Sequence, residues 1–121
     1  MDDAQTTIAE LKSMMSQFVA ERDWGRFHDP KSVAMAVGVE AAELMEPFRW
    51  LSTEESAALL NDARRRSAVA EELADVVLLC LEFSAVSKID IAEAVRAKLE
   101  LNKKRYPVEK SHGKSTKYTE L

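Results

Sequence analysis

Four acidic residues in two short stretches carry the chemistry this chain could perform. Glu40-Ala41-Ala42-Glu43 and Glu72-Leu73-Ala74-Asp75 each place two carboxylates three residues apart inside an apolar, helix-forming run, with Glu71 just ahead of the second pair. On a helix that spacing projects both acids from nearly one side. Like charges so placed repel, and an unpaired carboxylate in a dry interior is costly. A hard divalent cation reverses the sign of that repulsion, because Mg²⁺ prefers carboxylate and phosphate oxygen. The pattern therefore points to two helices that face each other and hold Mg²⁺ against the phosphates of a nucleotide, with Glu40, Glu43, Glu72 and Asp75 as the ligands. The competing reading is a helical interaction module without catalysis. There the acids are salt-bridged to another helix, and Trp24 and Trp50 form a protein-binding patch.

Cations for a bound polyphosphate are present. Lys98, Lys103, Lys104 and Arg105 crowd the end of the last apolar-periodic segment, where they fit phosphate oxygens as well as a helix C-terminus and water. Trp24, His28 and Trp50 flank the Glu40 stretch. Their rings can stack on a nucleobase or hydrogen-bond one, or simply pack. Arg64-Arg65-Arg66 reads as a solvated helix start or turn rather than a binding patch. Neither His28 nor His112 follows a Glu at the spacing of di-iron bundles. No Cys/His cluster favours zinc, and no glycine-rich loop could cradle phosphates.

The elements that must position these groups are helical. Thr7-Ile8-Ala9-Glu10 is a capping box that opens a first helix ending near Trp24-Gly25. Asp29-Pro30 supplies an N-cap and a first-turn proline for the helix bearing Glu40 and Glu43, which Pro47 closes. Ser52-Thr53-Glu54-Glu55 opens a short helix to about Asn61. Residues 67 to 87 form the most apolar run and should make the central helix, with Glu72 and Asp75 in its N-terminal half. Asp90-Ile91-Ala92-Glu93 opens the last helix, and Pro107 ends it. The expected fold is all-α: four main helices in a bundle with one short extra helix, spanning 1–107, and a polar tail over 108–121 that is loose or lies as an arm over a neighbour.

Totals narrow the class further. A chain of 121 residues with 46% apolar content can bury one core without disulfides or a structural metal. Three glycines and three prolines leave little turn chemistry for a sheet. The single cysteine, Cys80, lies in an apolar run and is expected in the core; without a partner it fits a reducing compartment, the cytoplasm. Asp2-Asp3 with no apolar stretch behind it gives no signal-peptide pattern, and no apolar run approaches the roughly 20 residues of a membrane span. A net charge of −4 argues against a nucleic-acid polymer as partner.

The residues also resemble a known family. Glu40-x-x-Glu43 with Glu72-x-x-Asp75 looks like the signature of MazG-type, all-α nucleoside triphosphate pyrophosphohydrolases. The likeness runs from about Phe18 to the C-terminus. Glu21-Arg22-Asp23-Trp24-x-x-Phe27-His28, Phe48-x-Trp50, Asn102-x-x-Arg105-Tyr106-Pro107 and Lys117-Tyr118-Thr119-Glu120-Leu121 resemble the dCTP pyrophosphatase branch. The resemblance implies a helical bundle that forms homodimers or homotetramers. It implies Mg²⁺-dependent hydrolysis of a deoxynucleoside triphosphate to the monophosphate and pyrophosphate. On that likeness Glu40, Glu43, Glu72 and Asp75 match metal ligands; charge alone suggests that one acid, Glu40 or Glu43, orients or deprotonates a water. Trp24, His28 and Trp50 match positions near base and sugar, and Lys98, Asn102, Arg105 and Tyr106 match residues that meet the nucleotide. Two positions depart from the animal members: Leu79 stands where they carry a Tyr, and Met15 where they carry a His. Both departures bear on nucleotide selectivity.

Overall fold

The computed structural model describes residues 1–121, which form two compact units, Met1–Lys88 and Ile89–Leu121. The chain is all-α as expected: six helices and three 3₁₀ turns, with no strand. In the first unit these are α1 (Ile8–Glu21), α2 (Pro30–Met45), α3 (Thr53–Leu59) and α4 (Ala63–Ser87). The second unit holds α5 (Ile91–Arg105) and the single turn α6 (Val108–Ser111).

Local chemistry sets the helix starts. Thr7 and Ser52 make reciprocal capping boxes with Glu10 and Glu55. Asp29 accepts from the Ser32 N–H with Pro30 in the first turn, and Asp90 accepts from the Glu93 N–H. Three boundaries differ from expectation. α1 stops at Glu21 because Asp23 takes a left-handed backbone, φ 51°. α3 stops at Leu59, short of Asn61. α4 begins at Ala63 rather than near residue 67, because the Asp62 side chain accepts from the Arg65 N–H and starts the helix earlier. Lys88, with φ 59°, closes α4 in a left-handed C-cap.

Packing in the first unit centres on α4, against which α2 lies most extensively and α1 less so. Val19, Val33, Leu59 and Leu81, one from each helix of that unit, are buried. The apolar pattern of α4 covers more than one face, and only one face is covered. Leu73 and Val77 on α4, and Met35 and Val39 on α2, are exposed. Cys80 is a correction of the same kind. It is exposed and lines a shallow apolar hollow with Ala34, Val37 and Phe83. A run that is apolar in sequence is thus left uncovered within the single chain.

In the second unit the polar segment 108–121 is not featureless. It makes α6 and a 3₁₀ turn at Tyr118–Glu120. Tyr118 packs edge-on against Tyr106 at 5.8 Å, and the Arg105 guanidinium lies 4.6 Å from the Tyr118 ring centroid.

Candidate metal centre

Glu40 and Glu43 occupy adjacent positions on one side of α2, and Glu72 lies on the facing helix α4. Antiparallel packing of these two helices brings carboxylate oxygens of Glu40, Glu43 and Glu72 within 4.8 Å of one another. Glu40 and Glu72 are half-buried, while Glu43 and Asp75 are exposed. Asp75 is one turn beyond Glu72 and adds its charge to the field felt by both half-buried acids.

The electrostatics record the crowding. The Glu40 carboxyl is held above its ordinary range, first by its hydrogen-bonding contact with Glu43, then by burial and by the charges of Glu43, Asp75 and Glu72. Glu72 is also raised, with burial the main cause, followed by the charge of Glu43 and contact with it. Oε2 of Glu40 and Oε2 of Glu72 are buried and have no hydrogen-bond partner. None of the four acids is in an ion pair: Arg22, Arg26, Arg49 and Lys103 pair with Glu21, Asp23, Glu46 and Glu100 instead. The salt-bridged alternative therefore lacks its bridges. Hard oxygen donors, clustered, partly desolvated and short of positive charge, fit a divalent cation.

An open hollow of about 580 Å³ adjoins the cluster, with Glu43 and Glu72 on its wall beside Leu51, Leu59, Val69 and Arg65. Arg65 was missed in the sequence because it belongs to a run that reads as a solvated helix start. Once α4 is known to begin at Ala63, Arg65 stands seven residues before Glu72, nearly two turns back on the same stripe.

The other singled-out residues lie on several elements. Trp24 is partly exposed and meets Phe18 edge-on at 5.6 Å. Trp50 is 82% exposed, with the Arg49 guanidinium 4.7 Å from its ring centroid. His28 follows a 3₁₀ turn and faces Glu82 of α4, Nδ1 to Oε1 3.7 Å. Lys98, Asn102, Arg105 and Tyr106 belong to the second unit, where Lys98 is exposed and Asn102 and Arg105 are half-buried.

Residues 35–121, which include all four acids, match the family model described as MazG-like. Bovine dCTP pyrophosphatase 1 is 36% identical over 118 residues, 98% of this chain and 70% of its own length. The human protein of that name is 35% identical over 117 residues, 97% of this chain and 69% of its own. A solved pyrophosphatase from Archaeoglobus fulgidus is 35% identical with a TM-score of 0.79, covering 88% of this chain and 98% of that one.

Proposed function

The chain belongs to the MazG-like family and is a nucleoside triphosphate pyrophosphohydrolase, and we propose that it cuts a deoxynucleoside triphosphate, dCTP or a close relative, to the monophosphate and pyrophosphate with Mg²⁺ as cofactor. The observation that carries this reading is the pair of buried, donorless oxygens on Glu40 and Glu72, crowded by two further carboxylates. Such a cluster is unfavourable in the free protein and becomes favourable around a divalent ion. Glu40, Glu43, Glu72 and Asp75 would hold that ion, which when bound withdraws charge from phosphoryl oxygens and acidifies water.

The remaining work falls to the chain's own groups. Glu40 or Glu43 orients the attacking water and takes its proton. Arg65, on the wall of the same hollow, supplies positive charge beside the acids for the departing phosphates. Trp24, His28 and Trp50 serve base and sugar, with Trp50 free to stack because its ring is open to solvent. Lys98, Asn102, Arg105 and Tyr106 are assigned to the nucleotide from their motif alone.

The protein acts as a homodimer or homotetramer, with no nucleic-acid polymer or membrane as partner. Met35 and Val39 on α2 and Leu73, Val77 and Leu78 on α4 are large apolar side chains left exposed, and a second copy of the chain would cover them. Light scattering should therefore give a mass of at least two chains; a monomer at micromolar concentration would overturn that part. No helix is long and apolar enough to cross a membrane, and the single thiol fits the cytoplasm.

A panel of dNTPs incubated with and without Mg²⁺ and assayed for pyrophosphate tests the reaction. Release from at least one nucleotide, abolished by chelation, is the expected result. No release from any nucleotide rejects it.

A further inference from the structure

Glu82 is the chain's one buried charged residue. Its side chain is 7% exposed, and its Oε2 has no hydrogen-bond partner. His28 faces it, 18% exposed, with Nδ1 buried, unpartnered and 3.7 Å from Glu82 Oε1. Buried polar atoms are ordinarily paired, and a buried carboxylate without a donor is destabilising. Stability alone does not account for two such groups side by side.

Their placement points to the substrate. The His28 backbone is pinned on both sides: its N–H donates to the Gly25 carbonyl, and the next residue, Asp29, caps α2. Its ring is thereby presented to α4. Glu82 stands seven residues past Asp75 on that helix. Seven residues return to within about 20° of the same side and about 10 Å farther along. Leu79, half-buried, lies between them on the stripe. One helix face thus runs from Asp75, one turn past the clustered Glu72, to the His28–Glu82 pair, a span comparable to that from a nucleotide's α-phosphate to the edge of its base.

We propose that Glu82 is a positioning residue for base selection: it takes the Nδ1–H of His28, so that the ring offers Nε2 as an acceptor to the exocyclic amine of a cytosine or adenine. This rests on the nucleotide reaction proposed above. A neutral imidazole has one donor and one acceptor nitrogen, and a carboxylate accepts only, so Glu82 selects the tautomer with the proton on Nδ1. Less than about one ångström separates the pair from hydrogen-bond distance. Because Nδ1 is buried, what remains exposed of the side chain is not that atom. Uracil and thymine place a carbonyl where cytosine places its amine, so Nε2 as an acceptor repels them.

The chain has only two histidines, so ¹⁵N imidazole spectra report His28 with His112 as an internal reference. In the wild-type protein at mildly alkaline pH, His28 should carry its proton on Nδ1. The kcat/KM for dCTP or dATP should exceed that for dUTP and dTTP. Glu82→Gln should reduce that ratio about tenfold or more, mainly through KM, and shift the His28 spectrum without moving His112. Glu82→Asp, which keeps the carboxylate, should recover part of the ratio. A wild-type His28 protonated on Nε2 overturns the proposal without any variant. So does a Glu82→Gln enzyme that loses activity equally on every nucleotide or keeps its ratio. Wild-type protein that turns over no nucleotide removes the reaction itself; turnover with an unchanged ratio removes only the role of Glu82.

Discussion

Helix α4 carries acids in two settings. At Glu72 the carboxylate meets Glu40 and Glu43 of α2, partly open to solvent, and Asp75 one turn on adds to the like charge. Two turns on, Glu82 is alone, buried, and opposite an imidazole. Crowding without cations calls for an ion of higher charge than a side chain brings, since only a divalent centre offsets several carboxylates at once. A single buried acid beside a histidine calls for one proton donor and fixes which nitrogen supplies it. On the two proposals above, the same residue type would do charge chemistry at one level of the helix and hydrogen-bond selection at the other.

Substitutions that keep shape and remove charge separate the two settings. Asp75→Asn or Glu43→Gln should lower kcat at least about a hundredfold on every nucleotide, with circular dichroism unchanged. A loss confined to one base would merge the two sites. The Glu82→Gln change sits below that, about tenfold and base-dependent. The smallest effect is on stability. Glu40 and Glu72 are both raised above the ordinary 4.5. Between that value and the raised one, the folded chain holds protons that the unfolded chain has released, so ∂ΔG/∂pH is negative there. In chelator, these two acids should stabilise the fold most below the ordinary value and less as pH climbs through the window, against the opposite trend of the capping Asp29 and Glu55. The melting temperature of wild type relative to Glu72→Gln should therefore fall across it. At neutral pH Mg²⁺ should restore a few degrees, and Glu72→Gln should raise the metal-free melting temperature while blunting that response. Thermal scans across pH with and without Mg²⁺ check the sign.

Much of this was legible in the chain because it is local. Capping at Thr7, Asp29 and Ser52 depends on side chains three residues apart, and the acids share a helix side by spacing alone. What escaped depends on tertiary geometry. Arg65 joins the acids only when α4 starts four residues early. Glu82 meets His28 only because the turn before α2 delivers the histidine to it. Leu73, Val77 and Cys80 read as core because periodicity reports that a face is apolar, not that the same chain covers it. The return of Tyr118 onto Tyr106 is an aromatic contact across twelve residues with no periodic signal.

Direct titration of metal-free protein with Mn²⁺, read as loss of the free-ion paramagnetic signal, is the most immediate test that these acids form a cation site. Wild-type protein should bind Mn²⁺ saturably, Mg²⁺ should compete, and Glu72→Gln should weaken binding at least about tenfold. An absence of binding, or equal binding by Glu72→Gln, would contradict a metal centre between α2 and α4.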